Sequence, residues 1–170
     1  MKQAIAGVAP PDLSEVTIMT VWPTITANPL GRALGRTYRS RAGFGPVLTV
    51  GKLMMVLSIP IAMGLFVLGL APWSCRRYRL TNRRVIVQNK PRQVDERWIG
   101  LEEFDNIDVV VLPGQEWYPA GDLVFRKGKL ETFRLAGVAR PETFRQTCLK
   151  AQRAFVGVRK ALEREALARQ

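Results

Sequence analysis

Residues 53–71 read LMMVLSIPIAMGLFVLGLA, nineteen positions without a charge. At about 1.5 Å of rise per residue such a helix is about 28 Å long, close to the roughly 30 Å hydrocarbon core of a bilayer. The uncharged character reaches back to residue 42 and is broken only by Lys52, whose stem is long enough to carry its ammonium to an interface. Tyr38 and Phe44 stand before the run and Trp73 and Tyr78 after it, where interfacial aromatics belong. A buried core helix fits less well, because helices in a domain of this size bury one stripe and this run is apolar on every side. The first forty residues hold no apolar stretch of the signal-peptide kind. The expectation is a retained membrane segment at 44–75, after an N-terminal region at 1–43.

Topology is read from the flanks. Arg32, Arg36, Arg39 and Arg41 precede the segment, and Arg76, Arg77, Arg79, Arg83 and Arg84 follow it. Loops rich in cations stay in the cytoplasm, so the richer C-terminal flank places the following domain on the cytoplasmic face of the inner membrane. The basic N-terminal flank prefers that same side, which raises a second arrangement, a helical hairpin bent near Pro60. Residues 42–75 would give it about 17 residues per arm, the lower limit for a span. One kinked span is placed slightly ahead of the hairpin.

Around this segment the chain reads as strands and helices. Residues 16–22 (VTIMTVW) are rich in β-branched side chains and end at Pro23, which predicts a short strand. Asn28-Pro29 predicts a helix start, with Leu30, Ala33, Leu34, Thr37 and Tyr38 on one face and arginines elsewhere, as in an interfacial helix. Gly31 and Gly35 weaken that helix, and their GxxxG spacing alone is too common to mark a dimer. After the segment, strands are expected at 77–80 and 85–87, joined through Thr81-Asn82-Arg83, where Asn82 tolerates a left-handed turn. Further strands are expected at 97–99, at 107–112 as a buried apolar strand, and at 123–126 and 130–135 around Lys127-Gly128-Lys129. Pro141 then opens an amphipathic helix with Phe144, Cys148, Ala151, Phe155, Val158 and Leu162 on its stripe. Strands followed by one long helix predict an α+β domain, a curved antiparallel sheet closed by a C-terminal helix.

The run Tyr78-Arg79-Leu80-Thr81-Asn82-Arg83-Arg84-Val85-Ile86-Val87, directly after an apolar segment, resembles the Y-x-L-T-x-x-R opening strand of the bacterial pleckstrin-homology-like (PH-like) domain family of membrane proteins. The resemblance continues in 107–112, in Gly121-Asp122-Leu123-Val124-Phe125 and in the helix after Pro141. Residues 15–23 resemble the short strand such proteins carry ahead of their membrane segments. It implies a PH-like curved sheet or partly open barrel at 76–156, with 157–170 as the end of the capping helix. If the early strand joins the sheet, both flanks lie on one face, which favours the hairpin. Fold is implied more strongly than function. Eukaryotic relatives bind inositol phosphates through basic residues on the first hairpin, where Arg77, Arg79, Arg83 and Arg84 fall here. That ligand is not carried over, because bacterial membranes generally lack those lipids.

Charge supplies the remaining expectations. The chain has 26 Lys and Arg against 14 Asp and Glu, a net charge of +12, and such an excess attracts anionic membranes or nucleic acid. Residues 76–92 carry seven cations and no acid, whereas 93–122 carry eight acids against Arg97 alone. Arg76, Arg77, Arg79, Arg83 and Arg84 are the expected lipid-headgroup contacts, each contributing up to about 1 kcal/mol at an anionic surface. The acidic block predicts a dipolar domain with an acidic face turned to the cytoplasm, suited to self-association or a basic partner, although solvated strand edges explain it more simply. Trp117 and Tyr118, between Pro113 and Pro119, are a candidate partner contact or, alternatively, a plug over the barrel mouth.

Catalysis is not expected. The chain has no histidine, adjacent Glu102 and Glu103 would face opposite sides of a strand, and neither GxxxxGK[ST] nor GxGxxG occurs. Cys148 sits on the helix stripe, and Cys75 stands at the segment boundary as a packing residue or palmitoylation site. No metal site and no cofactor are expected, and no small-molecule substrate. The function predicted is a membrane-anchored, non-catalytic module for lipid-surface or protein-protein interaction. The rival is a basic nucleic-acid-binding or envelope scaffold protein, in which Trp98, Trp117 and Tyr118 would stack on bases.

Overall fold

The computed structural model describes residues 15–39, 43–44, 48–70, 76–89 and 94–168. Trp73 and Cys75 lie outside them, and of Phe44 only the backbone is described. In chain order the elements are β1 (Thr17–Val21), a 3-10 turn (Ile25–Ala27), α1 (Pro29–Tyr38), β2 (Gly43–Phe44), β3 (Leu48–Thr49), α2 (Val50–Leu57) and α3 (Ile59–Leu70). There follow β4 (Arg76–Thr81), β5 (Arg84–Asn89), β6 (Val94–Gly100), β7 (Asn106–Val110), β8 (Ala120–Lys127), β9 (Leu130–Ala139) and α4 (Pro141–Ala168). One antiparallel sheet has the order β1-β4-β5-β6 and another the order β7-β8-β9, beside the small β2-β3 pair. The class is α+β, with the long helix last.

Period-two alternation decides which side chains enter the core. On β4, Tyr78 and Leu80 point inward, in register with Val87 and Val85 of β5. Ile99 of β6 continues that face, pairing with Val85. Arg77 and Arg79 fall on the opposite face. Tyr78 is therefore core and not an interfacial aromatic: it is 5% exposed and its hydroxyl donates to the Ala136 carbonyl at 2.8 Å. Burial pushes that hydroxyl up to about 12.

Phe104, Phe125 and Phe133 meet edge to face in the same core, and burying a large side chain of this kind contributes about 1.5–3 kcal/mol. Helix α4 closes the core with Phe144, Cys148 and Ala151, all buried. Its 28 residues span about 42 Å, longer than the strands they cover, so the last turns run past the sheet and are exposed.

Two expectations change at this level. The 107–112 stretch is not a fully buried strand. Its first four residues lie in the edge strand β7, paired on one side only; Ile107 is buried, whereas Val111, just past the strand, is 48% exposed. Asn82 does not use the left-handed conformation either; among the described residues only Arg140 does so without being glycine. Its side chain works instead, accepting from the Val16 amide at 3.1 Å while the Asn82 amide donates to the Val16 carbonyl.

Candidate functional site

The N-terminal strand finds its partner across the apolar segment. Val21 of β1 stands opposite Tyr78 of β4, and Thr17 opposite Thr81. The end of β1 and the start of β4 therefore lie together at one end of the sheet, here the near end, from which the chain leaves to α1, α2 and α3 and to which it returns. The far end carries the Asn82-Arg83 turn.

At the near end a buried polar chain ties the N-terminal segment to the second sheet. Asp122, an acid within the apolar strand β8, is 2% exposed. One of its carboxylate oxygens accepts from the Gln115 side-chain amide at 2.7 Å and from the Gly137 backbone amide at 2.9 Å, and the other lies 3.5 Å from Arg134. Gln115, fully buried, folds the loop back on itself by accepting from the Leu112 amide at 2.8 Å. The Gly137 carbonyl in turn accepts from the amide and hydroxyl of Thr24. Gly137 holds a φ of +60°, and a Cβ there would meet the backbone of Ala27, so only glycine lets the two chains approach.

Helix α1 docks on this platform through its glycines. A Cβ on Gly35 would stand 2.1 Å from the Gly114 carbonyl oxygen, and one on Gly31 2.1 Å from the Ile25 carbonyl oxygen. The Gly31/Gly35 spacing thus serves close backbone approach inside this chain. Arg36 donates to the Pro113 carbonyl at 3.2 Å and Arg39 pairs with Glu116. The buried face is glycine and Tyr38, while Leu30, on the apolar face expected of an interfacial helix, is 64% exposed. Tyr38 packs against Trp117 at 5.8 Å and Tyr118 at 6.3 Å. Burial, together with the adjacent Tyr38, pushes Tyr118 up to about 12. An expected interfacial aromatic and the expected partner-contact pair are thus one cluster, in which Trp117 remains half exposed.

That cluster also reaches the apolar segment. The segment is two helices with a 52° bend between them, and among the described residues no single helix is long and apolar enough to cross a membrane. The break falls at Ser58, immediately before the Pro60 at which a bend was expected. Ser58 is buried, and its hydroxyl is 2.5 Å from that of Tyr38. On either side of it Leu53, Val56, Leu57, Ile61, Met63 and Phe66 are each more than half exposed. Helices α1, α2 and α3 contain no acidic residue. Patches of this kind on a protein surface mark a contact with another apolar phase.

The five arginines expected at headgroups do not form one patch. Arg76 and Arg77 begin β4 at the near end, beside Asn89 and Gln88. Arg84 lies five residues further along β5, about 17 Å from Arg76 at about 3.4 Å per residue, with Arg79 between them opposite Ile86 and Arg83 in the far turn. Arg76 pairs with Glu96 at 3.0 Å, and Arg77 donates to Gln88 at 2.8 Å. Arg84 makes two 2.9 Å bonds to Glu15 and stacks over Trp98. The Arg84 guanidinium, first among several causes, holds the Glu15 carboxyl below its ordinary value.

The acidic block is likewise not a face. Asp95 and Glu96 pair with Arg84 and Arg76, Asp108 with Arg126, Asp122 with Arg134, Glu102 with Arg159 and Glu116 with Arg39. Glu103 and Asp105 accept from the Gly100 and Gly128 amides. The dipolar expectation fails because the fold brings cations from other elements, Arg39, Arg126, Arg134 and Arg159 among them, beside these acids.

A cleft of about 500 Å³ at the far end is lined by side chains of both signs, among them Glu102, Asp105, Lys127 and Arg159, several already engaged in these bonds. Cys148 is fully buried, and desolvation pushes its thiol up to about 12, so it stays a thiol. Among the described residues no three His, Cys, Asp or Glu side chains converge to hold a metal ion. Residues missed by sequence reasoning are Thr24, Gln115 and Gly137; the one visible signal was an acid, Asp122, inside the apolar run AGDLVF. No family model matches the chain, and neither a curated protein nor a solved structure matches it.

Proposed function

We propose that this chain is a membrane-attached, non-catalytic module of PH-like type, held at the inner membrane with its β-domain on the cytoplasmic face, where it serves as a lipid-surface or protein-interaction unit. The observation that carries this reading is the exposed apolar surface of α2 and α3 beside the acid-free, arginine-bearing α1. Leaving that many large apolar side chains in water would forfeit about 1.5–3 kcal/mol for each one buried elsewhere. The PH-like assignment rests on the Tyr78–Arg84 motif, and two antiparallel sheets closed by a helix accord with it.

The test is extraction of membranes carrying the full chain with high salt and then carbonate. Retention in the pellet is expected, and release into the supernatant would overturn the attachment. Headgroup contact is tested on anionic vesicles. Surface potential decays over a Debye length of about 8 Å, so Arg76→Gln with Arg77→Gln should weaken binding by up to about 2 kcal/mol. Arg83→Gln with Arg84→Gln should weaken it far less. Retention on nucleic acid without vesicle binding would put the nucleic-acid reading in its place.

A further inference from the structure

The geometry points to an apolar pair that enters one leaflet and leaves by the same face, lying in the plane of the membrane beneath α1 instead of crossing; this rests on the membrane attachment proposed above. Three observations carry it. First, both ends of the segment belong to one body. Before it, β1 pairs with β4 and α1 is docked on Gly114; after it, β4 is the strand that β1 pairs with. From Leu70, the last residue of α3, to Arg76 there are six Cα steps, at most about 21 Å of extended chain, too little to return across a hydrocarbon core of about 30 Å.

Second, the arms are too short for two crossings. Helix α2 has 8 residues and α3 has 12, about 12 and 18 Å, where a span takes about 20 residues. Third, the break is anchored where a crossing would place it deepest. Ser58 is buried against Tyr38, which the Trp117 and Tyr118 loop holds on the β-domain. The middle of the segment therefore sits at the protein surface, and its two arms spread from there with their outer faces bare.

The occupant of those faces is the acyl layer of one anionic leaflet. Helices α1, α2 and α3 carry Arg32, Arg36 and Lys52 and no acid, the charge pattern of helices that lie at an anionic interface with their apolar side about 5–10 Å deep. Leu30 on α1 is likewise exposed, at 64%.

Depth measurement tests this in the full chain, reconstituted into vesicles of phosphatidylethanolamine and phosphatidylglycerol. In a Cys75→Ser background, with Cys148 buried, an environment-sensitive fluorophore is placed at Leu57→Cys, Ile61→Cys or Phe66→Cys. All three positions are exposed, so the label displaces no packing. Lipids carrying a quencher near the headgroup should quench all three several-fold more than lipids quenched at the acyl terminus, and in the same variants without the fluorophore an impermeant maleimide trapped inside the vesicles should label none. Strongest quenching at the bilayer centre, or labelling from the inside, would overturn the in-plane arrangement while leaving attachment standing. No quenching by any lipid would overturn the attachment itself.

Discussion

At the far end of the first sheet the N-terminal segment is held by Glu15, which lies on the surface against Arg84 and accepts from Thr81. At the near end it is held by Thr24 on Gly137, and through Gly137 on buried Asp122. The same segment is thus fastened twice, once where water competes and once where it does not. An exposed ion pair gains little over the hydration of its separated charges, typically about 0–1 kcal/mol. A buried carboxylate is already desolvated, and each partner it loses is left with no replacement. The near end is therefore expected to set stability and to hold the apolar helices in place, while the far end trims register.

That contrast can be broken by substitution, followed by denaturant unfolding of the purified chain. Asp122→Ala should do most, about 4 kcal/mol, because it strands the buried Gln115 amide and the Gly137 N–H. A loss below about 1 kcal/mol would mean that the near end is not the stronger fastening. Gly35→Ala places a methyl group 2.1 Å from the Gly114 carbonyl oxygen and should cost about 2–3 kcal/mol, the range of overpacking. It should also free Trp117, seen as a red shift in its emission.

At the far end Thr81→Val removes a fully buried hydroxyl whose one proton is within reach of Glu15 and of the Arg84 carbonyl and which accepts from two amides. About 1–2 kcal/mol is expected from the hydrogen bonds lost. Glu15→Gln should cost least, about 0.5 kcal/mol, and should abolish one pH dependence. The folded-state pKa of Glu15 lies below its ordinary 4.5, so its contribution is fully present above that value and is lost as the pH falls through the folded one. Wild-type and Glu15→Gln stabilities should converge in acid; curves that stay parallel would remove Glu15 from the far-end fastening.

Much of the β-domain was legible because its code is local. Alternation in RRYRLT and RVIVQN, the Gly128 turn and the Phe144, Cys148, Ala151 stripe each read out within a few residues. Less was legible at the site. Gly31 and Gly35 looked like defects in a helix, and their use appears only when Gly114, nearly eighty residues later, is brought against them. Distance from the apolar run suggests an interfacial Tyr78, whereas strand parity sets it inside. Tyr38, Trp117 and Tyr118 were read as separate features because nothing local connects α1 to the β7–β8 loop.

The sequence by itself determined the α+β class, the long apolar run, the break near Pro60 and the absence of acids from α1 to α3, since these depend on composition and short-range period. Tertiary structure alone decided that the acids of 93–122 find cations from far along the chain, Arg39 and Arg159 among them, that Arg76 and Arg84 stand about 17 Å apart with Arg79 between them, and that the break is held against Tyr38. The reason is physical: antiparallel pairing and the return of β1 to β4 bring together residues far apart in the chain. Charge and burial act through distance in space, which position along the chain does not encode.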